Sequence, residues 1–162
     1  MDPALRFADI LHILRRHDVD LILVGGIAAV LEGAPVSTFD LDIVVSRTSE
    51  NQGRLLDALL DLNARYRDPA GRHIVPDAAK VETMRIHRLM TDFGALDVLE
   101  TIGHDLAYPD LIGQTIDYEV EGFQIQTLRL EMVILSKEQA GRDKDKAVLP
   151  ILHRTLQLKR SG

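Results

Sequence analysis

Asp40 and Asp42 stand two residues apart in FDLDIVVS, and in an extended strand that spacing sends both side chains out of one face. Their oxygens can then converge on a single cation, and a site made only of oxygens suits magnesium. On its own the pair reads more readily as the polar start of a strand. Asp97 shifts the balance. It lies in ALDVL with Ala95 and Leu99 two positions to either side, so it shares a face with apolar neighbours. A lone carboxylate buried there is costly unless a base, backbone donors or a metal ion answers it. An arginine partner is the competing explanation. Three carboxylates on neighbouring strands would make the cluster that two divalent ions need, and ions held in that way act on phosphate.

Gly25 and Gly26 would supply the complementary half. Glycine between a strand and a helix lets the backbone approach a ligand closely, and the N-terminus of the following helix offers free N–H groups and a positive dipole end to phosphate. An ordinary tight turn has the same sequence. What sets this pair apart is the distance to Asp40, one short helix and a turn, which returns the chain to an adjacent strand so that glycines and carboxylates can face one cleft.

The elements that must position these residues are legible in outline. Asp2 as a cap, Pro3 in the first turn, and Ala4, Phe7, Leu11 and Leu14 at helical spacing predict an opening helix that ends near His17. DLILV is a short apolar run of the kind found in a buried strand, and IAAVLEG after the glycines predicts a short helix closed by Gly33. In the strand FDLDIVVS, Leu41, Ile43 and Val45 occupy one face and Asp40, Asp42 and Val44 the other. Ser49 and Gln52 are spaced as a capping box ahead of a helix to about Asn63. A short strand is expected at HIV, but residues 65 to 80 carry no clear pattern. TMRIHRLMT and ALDVLET read as strands joined at DFG, and TIDYEVEGFQIQTL as a half-exposed edge hairpin turning at Glu121 and Gly122. The chain closes with a helix ending at Gly141 and another over DKDKAVLPILHRTLQLK, which Pro150 is expected to bend or restart. Strands and helices mix without strict alternation, so the expected class is α/β (α+β) with a mixed sheet flanked by helices.

With these elements in view, LVGGIAAVLEGAPVSTFDLDIVV resembles the core of the DNA polymerase beta-like nucleotidyltransferase superfamily. The pattern there is a Gly-Gly or Gly-Ser turn, a helix, an Asp-x-Asp strand and a third aspartate on a neighbouring strand, for which Asp97 is the candidate. ILSKEQAGRDKDKAVLPIL is similar to the tail of small bacterial members, including the AbiEii-type nucleotidyltransferase toxins, in which a lysine of the penultimate helix and an Arg-x-Lys-Asp segment follow the sheet. Lys137 and Arg142-Asp143-Lys144-Asp145 match in order and spacing. The matching segments are residues 20 to 45, 95 to 100 and 130 to 152. One departure is Val36, two positions before Thr38, where many relatives carry arginine.

The resemblance implies a nucleotidyltransferase fold and an enzyme that moves a nucleoside monophosphate from a triphosphate to a hydroxyl, releasing pyrophosphate. Asp40, Asp42 and Asp97 would be catalytic and would bind the cofactor Mg2+ or Mn2+. Gly25, Gly26, Thr38, Lys137, Arg142 and Lys144 would contact the nucleotide. The acceptors it implies are RNA, especially the end of a tRNA, or a protein hydroxyl, with a cognate antitoxin as partner; the superfamily also includes enzymes that act on antibiotics. The rival is a catalytically idle nucleotide-binding or interaction domain, which the missing arginine at Val36 favours.

Composition narrows the alternatives. The chain of 162 residues, 46% hydrophobic and 27% charged, fits one globular domain over residues 1 to 162. It has no cysteine, which excludes disulfides, thiol nucleophiles and cysteine-ligated zinc. No histidine pair has metal-ligand spacing, and no G-x-x-x-x-G-K-[ST] phosphate loop occurs. No apolar run approaches a membrane span and the N-terminus is unlike a signal peptide, so a cytoplasmic protein without membrane partners is expected. The net charge of −6 argues against a uniformly basic grip on nucleic acid, although NARYRDPAGRH, MRIHRL and LHRTLQLKR are local basic clusters that could form a short docking strip.

Overall fold

The computed structural model describes residues 2–162. Helix α1 (Phe7–Arg16) leads into β1 (Leu21–Val24), α2 (Gly25–Leu31), β2 (Asp40–Val45) and α3 (Ser49–Asp61). Then come β3 (Arg65–Tyr66), α4 (Ala78–Thr83), β4 (Ile86–Thr91), β5 (Gly94–Leu99), β6 (Thr101–Ile102), β7 (Leu106–Ala107) and α5 (Tyr108–Leu111). The chain finishes with β8 (Thr115–Val120), β9 (Phe123–Leu128), α6 (Leu130–Ala140) and α7 (Asp143–Ser161).

Seven strands form one mixed sheet in the order β3-β4-β5-β2-β1-β9-β8, while β6 and β7 pair separately. β2 runs parallel to β5 and β1 parallel to β9, with antiparallel pairing elsewhere. The register places Arg88, Asp97, Asp42 and Val24 in one row across four strands. The row beside it, Leu89, Leu96 and Leu41, points to the opposite face and is fully buried. Burying each such leucine contributes roughly 1.5–3 kcal/mol relative to exposure. Strand alternation thus separates a face that stabilises the sheet from a face that carries its charge.

Asn51, fully buried at the start of α3, ties the two site-bearing strands together. Its carbonyl accepts from the Asp20 N–H at 2.7 Å, and its amide donates to the Asp20 and Ser46 carbonyls at 3.0 and 2.8 Å. These bonds fasten the chain just before β1 to the chain just after β2 and leave no orphan on a buried amide.

Several sequence expectations need correction. α1 begins at Phe7, not at Asp2 and Pro3, because the preceding segment crosses the β4–β5 turn: the Arg6 N–H donates to Phe93 O at 2.8 Å. A Cβ on Gly94 would fall 2.7 Å from Leu5 Cα, so that crossing needs glycine there. The cap of α3 is Thr48, accepting from the Asn51 N–H, in place of the Ser49–Gln52 box. HIV is not a strand; its Ile74 carbonyl accepts from Tyr66, and the strand is Arg65–Tyr66. α7 runs through Pro150 without a restart. Pro150 and Lys146 both lie on its exposed side, where water can satisfy the carbonyl that loses its donor. In the last hairpin only β8 is an edge, since β9 pairs with β1. Its turn residues Glu121 and Gly122, at φ 47° and 91°, sit where a tight hairpin needs them. Among the described residues no helix is long and apolar enough to cross a membrane.

Candidate active site

Parallel pairing of β2 with β5 sets Asp42 opposite Asp97 and Asp40 opposite Ala95. Asp40, Asp42 and Asp97 consequently bring one carboxylate oxygen each to within 4.8 Å of the others, the convergence predicted from the sequence. Asp42 lies at the centre of the electrostatic problem. Burial pushes its carboxyl up to about 7, and Asp97 and Asp40 add to the push, while Lys137 and Lys144 oppose it. Its Oδ1 is buried without a hydrogen-bond partner.

The two glycines have distinct steric reasons. Gly25 begins α2 at φ +68°, and a Cβ there would fall 2.3 Å from Asp42 Oδ2. A Cβ on Gly26 would fall 2.8 Å from Thr38 Cβ. Thr38 in turn donates its hydroxyl to the Asp40 carbonyl at 3.0 Å, fixing the turn into β2. The glycine pair therefore lets β2 press its acidic end against the start of α2.

Two arginines not singled out from the sequence close the other side. Arg67 Nη2 donates to Asp97 Oδ1, Arg88 Nη1 donates to Asp97 Oδ2 at 3.2 Å, and Arg67 Nη1 lies 3.9 Å from Asp40 Oδ2. Burial raises the Asp97 carboxyl and Asp40 adds to the rise; Arg67 and Arg88 pull against it without cancelling it. The arginine partner that competed with a metal as the reason for Asp97 is thus real, alongside the acid cluster. Arg88 was findable: the hairpin register through DFG sets it opposite Asp97. Arg67 follows a two-residue strand in a segment without periodicity, and only its place in NARYRDPAGRH marked it.

On the opposite side, a cleft of about 290 Å3 brings together Gly26, Thr38, Asp40, Asp42, Lys137, Arg142 and Lys144. Arg142 is largely committed to the start of α7: its Nε donates to Asp145 Oδ2 at 2.7 Å, and its backbone N–H reaches the same oxygen at 3.2 Å. Lys137 Nζ lies 3.6 Å from Asp145 Oδ1. Burial works to raise the Asp145 carboxyl, but Arg142 and Lys137 outweigh it and hold the group below its ordinary range. Gly25 borders a second cleft of about 320 Å3, lined also by Ile86, Arg88 and Leu99, which shares Asp42, Lys137 and Arg142 with the first. A larger groove of about 680 Å3 along α7, around Ile151 and Leu158, touches none of the three aspartates.

Asp40 and Asp42 fit a divalent cation. They offer hard oxygen donors, one of them the buried and unpartnered Oδ1 of Asp42, whose carboxyl burial, with Asp97 and Asp40 beside it, keeps from ionising freely. Asp97 fits less simply, because both its oxygens already accept from guanidinium groups.

A mixed sheet flanked by helices, with two aspartates on one strand and a third on its parallel neighbour, is the nucleotidyltransferase fold. Among solved structures, the antibiotic-resistance factor ANT(2'')-Ia matches 92% of this chain and 83% of its own at 13% identity, with a TM-score of 0.58. TM1012 of Thermotoga maritima, a candidate nucleotidyltransferase, matches 91% of this chain and 94% of its own at 18% identity, with a TM-score of 0.54. At these identities the likeness is one of fold. No protein-family model and no curated protein matches the sequence.

Proposed function

We propose that the protein is a metal-dependent nucleotidyltransferase that moves a nucleoside monophosphate from a triphosphate to a hydroxyl acceptor. The observation that carries this reading is Asp42, with its unpartnered oxygen beside Asp40 and Asp97, opening onto a cleft that holds Lys137 and Lys144. Asp40 and Asp42 would hold a divalent ion, Mg2+ or Mn2+, with Asp97 at the third corner. When bound, such an ion supplies charge neutralisation at the triphosphate and favours ionisation of the acceptor hydroxyl.

The chain's own groups do the rest. Lys137 and Lys144 offset negative charge on the triphosphate and on the departing pyrophosphate. Gly25, Gly26 and Thr38 keep the backbone at the start of α2 and β2 close to the phosphates. The acceptor oxygen bonds to the α-phosphorus as the bond from that phosphorus to its bridging oxygen breaks, and pyrophosphate leaves. Asp97, whose oxygens accept from Arg67 and Arg88 in the free protein, takes the acceptor proton once one of those donors gives way.

Charge favours an anionic acceptor. The second cleft sets Arg88, Lys137 and Arg142 around the single carboxylate Asp42. Even with Arg88 paired to Asp97 and Arg142 to Asp145, that lining suits the phosphate of an RNA end such as that of tRNA better than a polycationic antibiotic. With the resemblance of the C-terminal segment to AbiEii-type toxins, this supports the toxin of a toxin–antitoxin pair acting on RNA in the cytoplasm. Labelled triphosphates, Mg2+ and total tRNA test it: label in RNA is expected, and label confined to protein or small molecules would reject the RNA acceptor. A second reading, an idle nucleotide-binding domain, is favoured by the two arginines on Asp97. Triphosphate binding without pyrophosphate release under every acceptor would select it.

A further inference from the structure

Phe39 immediately precedes the first aspartate of the cluster and is 82% exposed, the most exposed of the large apolar side chains among the described residues. Nothing in the fold occupies its ring: the aromatic and cation–π pairs among the described residues involve Phe93, Phe123 and Tyr66 instead. Its position is not an arbitrary point on the surface. Phe39 lines the same cleft of about 290 Å3 as Asp40, Asp42, Lys137 and Lys144. The lining combines two chemistries. Asp40, Asp42, Lys137 and Lys144 bring charge to it, and Val36, Phe39, Val148 and Leu152 bring apolar surface.

A ligand that satisfies both parts has an anionic chain joined to a flat, weakly polar ring system. We infer that Phe39 is the stacking platform for the nucleobase of the bound triphosphate, an assignment that rests on the nucleotidyltransferase reading and deepens it. The base belongs to the donor, because Phe39 opens onto the cleft with Lys144, whereas the second cleft is walled by Ile86, Leu99 and Ile102 and lacks Phe39. Every base presents a π-face, so an exposed phenyl ring can hold it without reading its edge. Val36 fits the same picture. It adds apolar surface to the lining of the same cleft.

The chain contains no tryptophan, so Phe39→Trp would place the sole indole at the proposed contact. Titration of that variant with ATP, GTP, CTP or UTP in Mg2+ should quench its fluorescence, and inorganic tripolyphosphate should not. Phe39→Ala should weaken nucleoside triphosphate affinity by about 5- to 100-fold, leave tripolyphosphate affinity and melting temperature unchanged, and be rescued by Phe39→Tyr. Equal affinity of Phe39→Ala and wild type for nucleotide would overturn the inference while leaving the proposed activity standing. So would an identical response of the Trp variant to tripolyphosphate. Loss of a dimer in Phe39→Ala by sedimentation, with nucleotide affinity intact, would reassign the ring to a contact between copies. Wild-type protein that binds no nucleotide at all would remove the nucleotidyltransferase reading and the inference with it.

Discussion

The two flanks of the aspartate cluster carry positive charge in different ways. On the α6–α7 flank, Lys137 and Lys144 pull on Asp42 only through space, and its Oδ1 has no partner. On the β3–β4 flank, Arg67 and Arg88 bond directly to Asp97, one guanidinium to each oxygen. The cluster is therefore asymmetric, with one corner open to a cation and the other already answered. A buried carboxylate can be tolerated by pairing or by waiting for a ligand, and this sheet uses both solutions on neighbouring strands.

That contrast can be broken most sharply at Asp42. Asp42→Asn should reduce nucleotide transfer by on the order of 10³-fold or more while leaving circular dichroism unchanged. Activity within tenfold of wild type would mean that the open corner is not where chemistry occurs. Arg67→Ala tests the closed corner and should act on stability. It leaves buried Asp97 with Arg88 alone, at a cost of about 2 kcal/mol in urea unfolding at neutral pH once the partial exposure of Arg67 is allowed for. An unchanged unfolding midpoint would show that Asp97 does not depend on that pairing.

A third test concerns pH. Asp42 in the folded chain keeps its proton up to about 7, against 3.8 for the free group, so between those values the folded state binds more protons than the unfolded one. Without divalent ions, stability should accordingly fall as pH rises through that window. That difference is worth on the order of 4 kcal/mol across the window, on the order of 10 °C in melting temperature. Asp42→Asn should flatten the slope, and Mg2+ should raise the melting temperature more at pH 8 than at pH 5. A profile that rises over the same range in metal-free buffer would contradict the open corner.

The open flank was readable from the sequence and the closed one only at Arg88, for physical reasons. Asp40, Asp42 and Asp97 lie in strands whose alternation is strong, so face and register follow from local pattern. Arg67 lies where a two-residue strand and the six-residue α4 leave too little periodicity to detect. The start of α1 is decided by the Phe93 carbonyl and by space at Gly94, partners remote in sequence. Phe39 misleads for the opposite reason: an apolar residue ahead of a strand looks like part of it, yet β2 begins at Asp40 and the ring stays outside the core.

The nonlocal origin of the site also sets its timing. Asp42 and Asp97 meet only when β2 and β5 pair in parallel across α3, α4 and β4, and contacts of such long separation form slowly. Lys137, Arg142 and Lys144 come from α6 and the start of α7, which follow every strand of the sheet in the chain. A growing chain can hold its acids and glycines long before it has the helices that complete the cleft, so the cleft is the last part of the fold to close.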